Sequence, residues 1–178
     1  GLGDVYKRQE GTMLGRSQEC VISESEIQKN IIKALREHKY VFALCSSTDL
    51  DRLATFHAAC KKTGRIFLVD EYQNRVLNVF TKYAGCKSDL FQFNAFKLIN
   101  YRTVNVRNKL QKEGFLMPIR MSSGYLLKGM LDIYNDEKPW LIYSMWGGYA
   151  KEGKDYTNSD VINIRNLFGN RILDGTMD

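Results

Sequence analysis

Short apolar runs alternate with amphipathic stretches along most of this chain. Residues 40–45 form a continuous apolar run, residues 65–70 hold a second one, and residues 140–146 hold a third. Uninterrupted apolar runs of this length, bounded by polar turns, are typical of strands that are buried on both faces of a parallel sheet. The pattern therefore predicts three buried parallel strands.

Helix signals fill the stretches between these runs. Ser23 and Glu26 form a capping box before a stretch with helical periodicity. Thr48 is expected to cap a second helix, which Gly64 ends. A third helix is marked by an apolar face made of Tyr72, Val76, Val79, Phe80 and Tyr83.

The second half of the chain is less regular. Apolar and polar positions alternate only weakly over residues 87–121. Within them, residues 105–113 predict a polar, basic helix, and after them residues 124–134 predict a further short helix. Ser159 is expected to cap a last helix before a final short strand at residues 171–173. Strands that alternate with helices over short loops predict an α/β fold, here a Rossmann-like parallel sheet with helices on both faces.

The charge balance is basic, because 26 Lys and Arg residues against 20 Asp and Glu residues leave a formal net charge of +6. This excess suits a partner rich in phosphate, such as nucleic acid, although a basic surface that only keeps the protein in solution is the commoner explanation. No apolar stretch approaches the roughly 18 residues that span a bilayer, so no membrane partner is expected.

The cysteines and histidines form no recognisable metal or redox motif. No two cysteines have C-x-x-C spacing, and Cys45 and Cys60 are expected to be buried thiols, which indicates the reducing cytoplasm. His38 and His57 have no second ligand at a useful spacing, so both are expected to be structural.

The turn that follows the first apolar run carries the main candidate chemistry. Ser46, Ser47 and Thr48 place hydroxyl groups at the carboxyl end of a strand, and Arg52 follows one turn into the next helix. Open α/β sheets bind ligands at this edge, and a helix N-terminus attracts phosphate. These four residues are therefore candidate substrate-binding residues, although the hydroxyl groups would serve equally as helix caps.

Ion pairing is the alternative role for Arg52. Asp49 and Asp51 lie on the same helix turn, and Asp70 ends the next strand. Asp70 also suits the cap position of the following helix. These acids predict a cleft edge of mixed charge rather than a purely basic pocket.

A second candidate segment ends the third apolar run. Trp146 and Tyr149 could stack on a base, and Gly147 and Gly148 would let a ligand approach the backbone closely. Core packing of Trp146 and a tight turn at the glycines are the alternative interpretation.

Three segments resemble the metallo-β-lactamase-fold nucleases with an inserted β-CASP domain, the group that includes ribonuclease J and the polyadenylation endonucleases. The first is Glu10-Gly11-Thr12, which resembles an acidic motif of the metallo-β-lactamase part. The second is residues 46–53, with two serines, a variable triplet and an arginine, and the third is residues 143–149. Their order and spacing carry the resemblance.

The resemblance implies a division of the chain. Residues 1–9, which show no helical or strand period, are interpreted as a non-native, linker-like segment, and residues 10–178 as a β-CASP-like α/β domain. Within it, residues 10–20 would form the edge of the metallo-β-lactamase part. Glu10 would be a catalytic acid that orients a histidine next to the leaving oxygen.

The resemblance also implies cofactors and partners. The family's His-x-His-x-Asp-His zinc motif is absent from this sequence. Two zinc ions would therefore belong to the metallo-β-lactamase domain of the same parent chain, which would cleave RNA or single-stranded nucleic acid in the cytoplasm. The present chain is expected to be a fragment that contributes substrate binding and is inactive when isolated.

Two other classes of function fit the same residues. A nucleotide- or phosphate-binding module without nuclease activity would use the Ser46-Ser47 turn in the same way. A protein-interaction module would use the aromatic residues as a docking patch.

Overall fold

A computed structural model of the chain describes residues 24–175. The prediction for Glu10 and the proposed boundaries at residues 1–9 and 10–20 lie outside the described residues. Within residues 24–175, no helix is both long enough and apolar enough to cross a membrane.

Six parallel strands form one sheet. They are β1 (Tyr40–Leu44), β2 (Ile66–Val69), β3 (Phe96–Lys97), β4 (Phe115–Ile119), β5 (Trp140–Tyr143) and β6 (Ile172–Asp174). Their order across the sheet is β3-β2-β4-β1-β5-β6, and every neighbouring pair is parallel. The predicted α/β fold with a Rossmann-like parallel sheet is therefore confirmed.

Six α-helices within residues 24–175 cover the two faces of this sheet. They are α1 (Glu24–Glu37), α2 (Leu50–Thr63), α3 (Glu71–Tyr83), α4 (Val104–Glu113), α5 (Gly124–Ile133) and α6 (Ser159–Phe168). The buried apolar side chains of helices α1 to α3 lie in one core, and those of α4 to α6 lie in the core on the opposite face. Burial of one large apolar side chain stabilises the fold by about 1.5–3 kcal/mol.

The chain leaves β1 across the sheet in one direction and leaves its neighbours β4 and β5 in the opposite direction. After β1 it passes through α2 on one face, whereas after β4 and β5 it passes through α5 and α6 on the other face. Loops that leave adjacent strands toward opposite faces open a crevice between them, and ligands bind at such topological switch points. The switch point of this sheet lies at the carboxyl ends of β1, β4 and β5.

Strand β4 was not predicted, because Pro118 interrupts its apolar run. Phe115 donates its N–H to the Lys39 carbonyl, and the Ile119 carbonyl accepts from Cys45. Backbone N–H groups of successive residues in a strand point to opposite sides, so the backbone nitrogen of Pro118 faces β2. The pairing of β2 with β4 ends at Leu116. A missing N–H is tolerated there, since the ladder has already stopped.

The helix caps differ from the sequence prediction at two positions. Asp49, not Thr48, caps α2 and accepts the Arg52 N–H at 3.1 Å. Asn158, not Ser159, caps α6 by accepting two backbone N–H groups of its first turn. In each helix, the residue next to the predicted cap accepts from the free backbone N–H groups of the first turn.

Candidate functional site

A cleft of about 370 Å³ lies at the switch point, and we call it the carboxyl-end cleft. It is lined by residues 45–47 after β1, residues 120–122 after β4, Met145 after β5, and Asn158 and Asp160 at the start of α6. The structure thus places the predicted residues Ser46 and Ser47 at the edge where an open α/β sheet binds ligands.

Local hydrogen bonds hold the serine turn. The Ser46 hydroxyl lies 3.4 Å from the Thr48 backbone nitrogen, which donates to it, and 3.2 Å from the Thr48 hydroxyl. The Ser47 carbonyl accepts the side-chain amide of the buried Gln73 at 3.1 Å. The turn therefore has a defined shape, with Ser46 both satisfying a local N–H and lining the cleft.

Arg120 is the cation of this cleft. Its Nη2 lies 2.7 Å from Oδ2 of Asp70, and its guanidinium carbon lies 4.2 Å from the centre of the Tyr72 ring. Its Nε is buried without a hydrogen-bond partner, and its Nη1 makes no hydrogen bond within the part of the chain that the structure describes. Arg120 therefore has donor capacity that residues 24–175 do not use.

Asp70 holds this arginine while it caps the next helix. Its Oδ1 accepts the Gln73 N–H at 2.7 Å, as expected for an N-cap, and its Oδ2 faces Arg120. Both oxygen atoms are therefore used, and the carboxylate neutralises part of the Arg120 charge. The mixed charge predicted for this edge is present, because Asp160 lines the cleft and Asp70 pairs with the Arg120 that also lines it.

Arg52 lies elsewhere and does not line the cleft. Its buried guanidinium donates to Glu24 at 3.2 Å, to the Gly175 carbonyl at 3.1 Å and to the Ser144 hydroxyl. The ion pair expected for Arg52 thus forms with Glu24 rather than with Asp49, Asp51 or Asp70. Arg52 joins α1, α2 and the ends of β5 and β6, which is a structural position.

The aromatic segment after β5 forms a cluster beside the cleft. Residues Gly147–Ala150 make a short 3-10 helix, and Trp146 remains 42% exposed. The Trp146 ring packs edge-on against Tyr149, with ring centres 5.4 Å apart. It is tilted relative to the Tyr156 ring, whose centre lies 4.9 Å from its own. A Cβ on Gly148 would lie 2.5 Å from the indole ring, so the ring rests on glycine backbone.

A backbone hydrogen bond connects this aromatic cluster to the cleft. Asn158, which lines the cleft, donates its N–H to the Tyr149 carbonyl at 3.0 Å. Trp146, Gly147, Gly148 and Tyr149 do not themselves line the cleft but follow directly after Met145, which does. The predicted residues therefore form two adjacent groups: Ser46 and Ser47 line the cleft, and the aromatic segment of residues 146–149 lies beside it.

The histidines and the two buried cysteines have structural surroundings. His57 accepts the Asn94 N–H at 3.1 Å, and burial together with the charge of Lys61 lowers the pKa of its imidazole. His38 stacks on Trp140 with ring centres 4.1 Å apart. Cys45 and Cys60 are buried as predicted, and burial raises the pKa of each thiol to about 12.

A larger hollow of about 410 Å³ lies at the opposite end of the sheet, near His57 and Gly64. It adjoins the carboxyl-terminal end of α2, whose carbonyl groups carry a partial negative charge that disfavours anions. Arg65 at its rim donates to the carbonyl groups of Leu35 and Glu113. We therefore favour the carboxyl-end cleft as the ligand site.

No group of three or more His, Cys, Asp or Glu side chains between residues 24 and 175 could hold a metal ion. The zinc ions implied by the resemblance do not fit the described residues. Any zinc chemistry of a parent enzyme would therefore depend on ligands outside this part of the chain.

Comparison with models of known protein families found no match, and comparison with curated proteins found none either. The fold and the site themselves define the class: an α/β protein whose parallel sheet opens a cleft of mixed charge at its switch point. Sequence reasoning missed most residues of this cleft, namely Arg120, Met121, Ser122, Met145, Asn158 and Asp160. Their only signal in the sequence is that they follow strands or begin a helix.

Proposed function

We propose that the carboxyl-end cleft binds the sugar-phosphate backbone of single-stranded nucleic acid. The observation that carries this proposal is that the Ser46-Ser47 turn and Arg120 line one cleft at the switch point. Hydroxyl groups, helix N-termini and arginine forks are the groups with which proteins bind phosphate.

The charges of the cleft suit reversible binding of a phosphate group. Arg120 supplies an N–H group that has no partner within residues 24–175, while Asp70 keeps the guanidinium in place. Asp160 adds a negative charge at the far side, so affinity for phosphate is expected to be modest. The net charge of +6 favours the approach of a polyanion.

We further propose that the chain is the β-CASP-like, substrate-binding part of a zinc-dependent metallo-β-lactamase-fold nuclease. The support is the resemblance of residues 46–53 and 143–149 and the finding that both segments end neighbouring strands of one parallel sheet. Glu10 and the zinc ions would act in the catalytic part of that parent. The 178-residue chain alone is expected to bind RNA without cleaving it.

The test is binding of a fluorescently labelled single-stranded RNA, measured by anisotropy over a series of salt concentrations. Arg120→Gln should weaken binding about tenfold, because a hydrogen bond to a charged group contributes about 1.5–3 kcal/mol. It should also reduce the log–log salt slope by about 1. Ser46→Ala combined with Ser47→Ala should weaken binding in the same direction.

Lys33→Gln is the matched control, since Lys33 is an exposed lysine on α1 that is remote from the cleft lining. It removes one positive charge and should leave affinity nearly unchanged. The proposal is wrong if the wild-type chain does not bind RNA at low salt, or if the Arg120 and Lys33 variants bind equally.

A mononucleotide- or phosphate-binding module is the second candidate. The size of the cleft favours it, because about 370 Å³ lies at the small end of the range of about 300–1,000 Å³ for ligand pockets. Saturable binding of a mononucleotide, with no gain in affinity for longer strands, would favour this candidate.

A further inference from the structure

A second hollow of about 360 Å³ continues from the carboxyl-end cleft and runs between α5 and α6; we call it the α5–α6 groove. The two hollows share three lining residues, Met121, Ser122 and Asp160. The cleft and the groove therefore adjoin each other, with the cleft at the end nearer β1.

The α5–α6 groove has a lining of mixed polarity that includes an aromatic side chain and a cation. Tyr125 is 89% exposed, which is unusual for a large aromatic ring, and Lys128 lies three positions further along the same face of α5. Lys128 takes part in no ion pair between residues 24 and 175. Ile164 and Leu167 of α6 line the opposite side.

These groups match the parts of a nucleotide. A base has a face that stacks on an aromatic ring, and its phosphate pairs with a cation. Because each hollow lies at the small end of the usual range for ligand pockets, one nucleotide unit per hollow is the natural occupancy. Two adjoining hollows of this kind suit two or more successive units of one strand.

We propose that the α5–α6 groove is a second nucleotide subsite, with Tyr125 as the stacking platform and Lys128 as the phosphate contact. This inference rests on the proposed function of the cleft and extends it to a substrate class, single-stranded nucleic acid longer than one nucleotide. Asp160 at the junction repels phosphate and accepts hydrogen bonds from a ribose hydroxyl or a base amino group.

The experiment measures affinity for a mononucleotide and for single-stranded RNAs of increasing length. The wild-type chain should gain affinity with length. Tyr125→Ala should lose about tenfold or more of that gain, because stacking on an aromatic ring contributes about 1–3 kcal/mol per base. Tyr125→Phe should restore it, and Lys128→Gln should reduce it with a smaller salt slope.

Tyr83→Ala is the matched control, since Tyr83 is a 64% exposed tyrosine on α3, on the other face of the sheet. If long RNA binds equally to wild type and Tyr125→Ala, while Arg120→Gln binds it weakly, the groove inference is wrong and the proposed function of the cleft stands. If the wild-type chain binds no RNA, both fail.

Discussion

Arg120 and Asp70 form an ion pair across the carboxyl ends of the neighbouring strands β4 and β2, with Nη2 and Oδ2 2.7 Å apart. Both side chains are largely buried, with 27% and 19% of their surfaces exposed. The pair links the capping of α3 to the position of Arg120, which lines the carboxyl-end cleft.

Asp70→Asn should separate these two roles. The amide oxygen can still cap α3, but the ion pair is lost, so the free energy of unfolding should fall by about 1–3 kcal/mol. The affinity for RNA should rise severalfold, because the Arg120 charge is no longer neutralised. Urea denaturation and anisotropy measure the two effects.

Asp132→Asn, at an exposed position of α5, is the control for loss of one negative charge. Loss of RNA affinity in Asp70→Asn, with Asp132→Asn unchanged, would show that Asp70 positions Arg120 for binding rather than competing with the phosphate.

Arg52 is expected to matter for stability and not for binding. Arg52→Met removes hydrogen bonds to Glu24, Ser144 and the Gly175 carbonyl, so the free energy of unfolding should fall by roughly 3 kcal/mol. Arg75→Met, at a residue that is 77% exposed, should change it by less than about 1 kcal/mol. A folded Arg52→Met variant that loses RNA affinity while keeping its stability would contradict this assignment.

The sequence predicted the central elements because their signals are local. Strands β1, β2 and β5 are uninterrupted apolar runs, and the cap at Asp70 and the stop at Gly64 follow from the chemistry of their own side chains. The Ser46-Ser47 turn was found for the same reason, since it lies directly between a strand and a helix.

The other half of the cleft depends on distant parts of the chain. Arg120 shares the cleft with Ser46 because β4 inserts between β2 and β1, and Asp160 shares it because β5 pairs with β1 on the other side. No local pattern encodes that strand order. Arg52 likewise found its carboxylate 28 positions away, on α1. Long-range pairing of this kind is set by the whole sheet.

Helix α3 shows a different limit of pattern reading. Its apolar stripe was correctly assigned to a helix, but Tyr72, Val79 and Tyr83 are between 50% and 64% exposed, and the helix buries Gln73 and Leu77 instead. Periodicity indicates that residues share a face, but it does not show what that face contacts.

The two histidines should make the fold less stable as the pH is lowered. Burial lowers the pKa of His57 and of His38 below the ordinary 6.5, so the unfolded chain binds protons more readily than the folded one. The stability contributed by the neutral rings is complete above about pH 6.5 and is lost as the pH falls below it toward the folded-state values.

His57→Gln tests this pH dependence, because glutamine can also accept the Asn94 N–H. Urea denaturation between about pH 7 and pH 5 should give a shallower loss of stability in His57→Gln than in wild type, and a nearly flat profile when His38→Gln is added. Identical slopes in wild type and the double variant would assign the pH dependence to other groups.

Thiol reactivity should separate the cysteines of the described region. Cys86 is exposed, whereas Cys45 and Cys60 are buried with pKa values raised to about 12. Because the thiolate is the reactive form, iodoacetamide at neutral pH should label Cys86 in the native protein, and Cys45 and Cys60 only after unfolding. Peptide mass spectrometry measures this, and rapid native labelling of Cys45 would show that the cleft floor opens.

Gly148→Ala should displace the Trp146 ring, because the added Cβ would meet ring carbons at about 2.5 Å. The indole would then leave its contacts with Tyr149 and Tyr156, and the tryptophan emission should shift to longer wavelength as the ring becomes exposed. Gly124→Ala, where nothing lies within 4 Å of the new Cβ, should leave the emission unchanged. If the cluster stacks on a base, Gly148→Ala should weaken RNA binding as much as Trp146→Ala does. If both variants keep the RNA affinity of the wild type, the aromatic cluster only packs the loop after β5.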